Sequence, residues 1–98
     1  MAIFLILLSY TKPLDEVDRW LDDHKAWVKQ GFDDGVFVLS GGQRPRVGGA
    51  IIAVGDTREQ VETRAAQDPF IDRGVATAQV IEVRPSTVDE RVSLLRDG

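Results

Sequence analysis

Apolar and polar positions follow two different rhythms along this chain. Residues 2–10 run almost without interruption as Ala-Ile-Phe-Leu-Ile-Leu-Leu before Ser9 and Tyr10, the pattern of a strand buried on both faces. Pro13 then stands where a first helical turn tolerates proline, and Asp15 and Glu16 suit the positive end of a helix dipole. Val17, Trp20, Leu21, His24, Trp27 and Val28 recur at three- and four-residue spacing, with Asp18, Asp22, Asp23, Lys25 and Lys29 mostly opposite. One amphipathic helix is expected here, ended by Gly31 and Asp33-Asp34-Gly35.

Strand-like runs return at 35–40 and 50–54, joined by the glycine-rich stretch 41–49, which reads as a long hairpin loop. Asp56 with Glu59 resembles a capping box opening a second helix that carries Val61, Ala65 and Ala66. That helix stops before Asp68-Pro69-Phe70, because the residue ahead of a proline is driven out of helical conformation. Residues 75–83, β-branched at Val75, Thr77, Val80, Ile81 and Val83, form a fourth strand. The order β-α-β-β-α-β predicts an α+β, ferredoxin-like domain over residues 1–85, with a four-stranded antiparallel sheet and both helices on one face. Strands that are apolar on both sides would leave the other face uncovered, so two copies packed sheet to sheet as a homodimer are expected. The tail, 86–98, is charged, but Val88, Val92 and Leu95 are spaced for a short amphipathic helix.

With 98 residues there is room for one hydrophobic core, and 43% hydrophobic with 29% charged residues is ordinary for a globular chain. A net charge of -4 with scattered basic residues argues against nucleic acid as a partner. The opening apolar run has no basic flank and no cleavage site, and is shorter than the roughly 20 residues a span requires, so no membrane association and a cytoplasmic location are expected. Without cysteine and with one histidine, no metal site is expected. The paired glycines at 41–42 and 48–49 make neither a dinucleotide fingerprint nor a phosphate loop, so no cofactor is expected.

Candidate chemistry centres on His24, the sole histidine, placed inside the apolar stripe of the first helix. It reads either as a core imidazole bonded to a backbone carbonyl or as a general acid or base, since histidine titrates near neutral pH. Asp68 reads either as a turn aspartate bonding its own backbone or as a partner for a residue on the first helix, because both helices pack on one sheet face. Ser40, Gln43, Arg44 and Arg46 flank the glycine-rich hairpin, and Ser9 and Tyr10 end the first strand, so these residues can supply hydroxyl, amide and guanidinium groups to a small-molecule substrate. No nucleophile-elbow sequence supports a Ser-His-Asp triad.

Three pieces together resemble the YciI-like (YCII-related) family over residues 1–85: the apolar strand ending near Tyr10, the His24 helix leading to Gly35-Val36-Phe37 and Leu39-Ser40-Gly41, and Asp68-Pro69-Phe70 followed by Gly74-Val75. The resemblance implies a dimeric α+β barrel and an active-site dyad of His24 and Asp68. One branch of that family removes chloride from a chlorinated hydroxyhydroquinone, and related barrels include lactone isomerases and cofactor-free oxygenases. The expectation is a cofactor-independent lyase or isomerase acting on a small cyclic or aromatic hydroxylated compound. Tyr10, Ser40, Gln43 and Arg44 would bind substrate. The alternatives are a non-catalytic small-molecule-binding or accessory dimeric module, in which His24 only hydrogen-bonds the ligand, and a purely structural dimer.

Overall fold

The computed structural model describes residues 2–96, so Met1 and the last two residues of the tail lie outside the described residues. The elements are β1 (Ala2–Tyr10), α1 (Leu14–Arg19), α2 (Leu21–Asp33), β2 (Phe37–Gly42), β3 (Gly48–Gly55), α3 (Arg58–Ala66), α4 (Pro69–Asp72) and β4 (Ala76–Val83). A 3-10 segment, Glu90–Leu95, follows. The sheet order is β2-β3-β1-β4 and each pairing is antiparallel, which is the expected ferredoxin-like α+β arrangement.

Strand register sorts the apolar residues of β1 into two sets. Phe4, Ile6 and Leu8 stand opposite Ala53, Ile51 and Gly49 of β3 and form a core with Phe37 of β2 and Val61 and Ala65 of α3. Each fully buried Phe or Ile there contributes about 1.5–3 kcal/mol. A second cluster, Val17, Phe70, Val75 and Ala76, is ringed by Tyr10, Trp20, Leu21 and Ile71 and seats α1, α4 and the start of α2. The odd-numbered residues Ile3, Leu5 and Leu7 share the other face with Ile52, Val54, Ile81 and Val83. Leu39 pairs with Ile52 on that side and is 50% exposed. The segment after β4 runs along the Ile3, Leu5, Ile52 and Val83 end of this face, with Val88, Val92 and Leu95 bordering the groove. The short helix considered for the tail takes 3-10 form over Glu90–Leu95, interrupted at Val92.

Three local expectations are corrected. The first helix is broken at Trp20, whose φ of -107° and ψ of 9° separate α1 from α2. No glycine or proline marks the break. Trp20 instead packs in the second cluster with the Arg73 guanidinium 4.4 Å from its ring centroid, a tertiary arrangement that local periodicity does not carry. The glycines expected in the loop continue the ladder, with Gly41 opposite Ala50 and Gly42 opposite Gly49, so the connection shrinks to residues 43–47. Glycine is required at 48, where a Cβ would collide with the Leu8 carbonyl. The capping box of α3 sits one residue later than Asp56 and Glu59: Thr57 Oγ1 accepts from Gln60 N at 3.1 Å, and Gln60 Oε1 accepts from Thr57 N at 3.2 Å. The second helix does stop before Asp68-Pro69-Phe70, as expected, and Asp68 leaves helical conformation with a ψ of 126°. The proline opens the short helix α4, where its missing N–H costs nothing.

Candidate active site

Asp68 is the hinge between α3 and α4. Extended by the following proline (φ -58°, ψ 126°), it becomes the N-cap of α4, and its Oδ1 accepts the Phe70 N–H at 3.0 Å. The same oxygen lies 2.8 Å from Nδ1 of His24, which the helical spacing of α2 turns toward the sheet. The expected turn aspartate and the expected partner of His24 are therefore one group. Asp68 is fully buried, and Oδ2 has no partner among the described residues. An ionised carboxylate only accepts hydrogen bonds, so opposite that form of Asp68 the proton of the pair sits on Nδ1, and Nε2 is the ring nitrogen turned away from Asp68.

The imidazole is held in plane as well as in tautomer. Phe70, placed by the α4 turn, stacks on it with centroids 4.0 Å apart and planes 5° from parallel. Trp27, one turn along α2, lies 5.7 Å away, itself fixed by a 3.1 Å bond from Nε1 to the Arg64 carbonyl. The His24 side chain keeps 14% exposure, and Nε2 makes no hydrogen bond among the described residues.

That exposure opens into a cleft of about 530 Å³ between α2 and the sheet. Leu21, His24, Lys25 and Val28 supply the helical wall. Leu8, Tyr10 and Phe70 close the inner end, and Ser40, Gly41, Gly42 and Gly49 form the β2–β3 side. At the mouth Arg46 grips Asp18 of α1 through both guanidinium amino groups. Hydrogen bonding to Arg46 holds the Asp18 carboxyl below its ordinary range, and the same bond raises Arg46. Among the described residues no three metal-ligating side chains come together.

Of the residues singled out from the sequence, His24, Tyr10, Ser40 and Arg46 border this cleft and Asp68 stands behind His24. Gln43 does not line it. Its side-chain amide donates to the carbonyls of Gly49 at 3.0 Å and Leu8 at 3.4 Å, tying the hairpin to the sheet. Arg44 lies exposed outside the lining, and Ser9 alternates to the opposite sheet face. The sequence reading missed Lys25 and the Asp18–Arg46 pair. Lys25 was legible as the neighbour of His24 within one helical turn of Leu21 and Val28, whereas nothing local connects residues 18 and 46.

Comparison with known proteins agrees with this architecture. No curated protein matches the chain. Among solved structures, 5-chloro-2-hydroxyhydroquinone dehydrochlorinase from Burkholderia phenoliruptrix AC1100, in complex with 2,5-dihydroxybenzoquinone, superposes with a TM-score of 0.72. The two are 16% identical, and the match covers 84% of this chain and 93% of that one, so what they share is the fold. No helix among the described residues is long and apolar enough to cross a membrane. The model of the YCII-related domain matches residues 3–84, most of the chain, and the protein therefore belongs to the YCII-related family.

Proposed function

We propose that this protein is a cofactor-independent enzyme that moves a proton on a small cyclic or aromatic hydroxylated compound, in a reaction of the lyase or isomerase type. The 2.8 Å contact between His24 and a fully buried Asp68 at the wall of an open cleft carries the reading. Asp68 fixes Nδ1–H and stabilises the imidazolium that forms when Nε2 takes a proton, while the Phe70 stack keeps the ring from turning. Tyr10 and Ser40 present hydroxyls to the same space and bind substrate oxygens. The structural neighbour is a dehydrochlorinase of 5-chloro-2-hydroxyhydroquinone, described in complex with 2,5-dihydroxybenzoquinone, and this supports testing that compound class first. The working form is a homodimer joined through the apolar face that the helices leave uncovered.

The test is turnover of chlorinated and unchlorinated hydroxyhydroquinones and of small lactones, followed by absorbance and chloride release, in wild type and His24→Ala. Loss of an acid-base group lowers the rate about 10²–10⁴-fold. Equal turnover in both proteins would remove His24 from the mechanism, and saturable binding without turnover would favour the non-catalytic module.

A further inference from the structure

The ionisable groups of the cleft are unequally matched. Asp18 and Arg46 satisfy each other at the mouth, and Asp68 is committed to His24 and the Phe70 amide. Lys25, next to His24 on the cleft wall, forms an ion pair with no carboxylate among the described residues. On a protein of net charge -4, Lys25 is thus the cleft cation that no carboxylate engages among the described residues, and an anion entering the cleft meets its attraction at that wall.

The shape of the cleft adds a second constraint. Gly42 and Gly49 face each other across the β2–β3 ladder, and a Cβ built on Gly42 meets nothing within 4 Å. The floor is therefore bare peptide, and the walls are the apolar side chains Leu8, Leu21, Val28 and Phe70. Bare peptide between apolar walls accommodates a flat ring, and charge selection at one wall orients it.

We infer that the cleft selects a small planar anion, an aromatic or enolic acid, and that Lys25 supplies the charge that selects it. This rests on reading the cleft around His24 as the functional site. The same cation stabilises the negative charge left on a substrate oxygen when Nε2 removes a proton, so binding preference and chemistry point to one class of ligand.

Benzoate and its neutral isostere benzamide separate charge from shape. Their binding to the full-length protein is followed by calorimetry and by the NMR signal of the single imidazole. Benzoate is expected to bind at least about tenfold more tightly and to shift the His24 signal. Lys25→Gln is expected to bring the two ligands within about twofold. Gly42→Val, which has space for its side chain on the strand, should exclude both while the thermal midpoint stays near wild type. Equal binding of benzoate and benzamide to wild type, binding of neither, or a preference that survives Lys25→Gln overturns the charge selection while leaving the His24 turnover test standing. A benzoate preference that leaves the His24 signal unmoved and survives Gly42→Val places the anion elsewhere and removes the cleft reading itself.

Discussion

One carboxylate oxygen of Asp68 accepts two hydrogen bonds, one from the backbone of α4 and one from His24. The two can be separated by substitution. Asp68→Ala removes the cap and leaves a buried N–H unpaired, a loss of about 2 kcal/mol. Asp68→Ser puts back a hydroxyl that reaches the Phe70 amide, since serine is as good a cap as aspartate, but is too short to hold Nδ1. Chemical denaturation is expected to show Asp68→Ser recovering about 1 kcal/mol over Asp68→Ala. The ¹⁵N shifts of the imidazole should show both variants losing the fixed Nδ1–H tautomer. A serine variant that kept the wild-type tautomer would mean the buried carboxylate does not set it.

At the scale of elements, what was legible in the sequence is what periodicity and proline encode. The strands at 2–10 and 75–83 and the helix carrying Val61, Ala65 and Ala66 follow from runs of side chains that only one kind of backbone buries. The pairing of His24 with Asp68 was implied by the family resemblance and permitted by a topology that puts both helices on one face, but the contact itself was not written in the sequence. The break at Trp20 and the Asp18–Arg46 pair depend on contacts across distant parts of the chain, and the strand character of Gly41 and Gly42 has no side chain to announce it. The seat of α2 against the sheet is equally hidden: at Gly31 a Cβ would fall within the Phe37 ring. Alanine there gains about 1 kcal/mol of helix propensity, but overpacking a buried aromatic costs up to about 3 kcal/mol. Gly31→Ala is therefore expected to destabilise by about 2 kcal/mol in urea titration and to push α2 outward, loosening His24 from Asp68. An unchanged or higher midpoint would show that Phe37 gives way freely.

For the whole molecule, the distribution of apolar surface is the deciding feature. The helices cover one side of the sheet, and the C-terminal segment reaches only one end of the other. Leu39 stands half exposed beyond that segment, in the same face as Leu5, Leu7 and Ile81. In the proposed two-fold pairing this patch would meet its own copy, so one arrangement would cover it on both chains. Light scattering is expected to give twice the chain mass for wild type and a shift toward the single-chain mass for Leu39→Glu, whose charge lies at no cost in the monomer but is desolvated in the pair. A wild-type monomer at high concentration would refute the homodimer. The double duty of Asp68 carries a last consequence for reading other chains with an Asp-Pro-Phe turn. A descendant without that chemistry would still need a capping side chain to start α4, and aspartate would serve as one. In such sequences the aspartate testifies to architecture, and only a histidine on the facing helix completes the pair on which the proposed reaction rests.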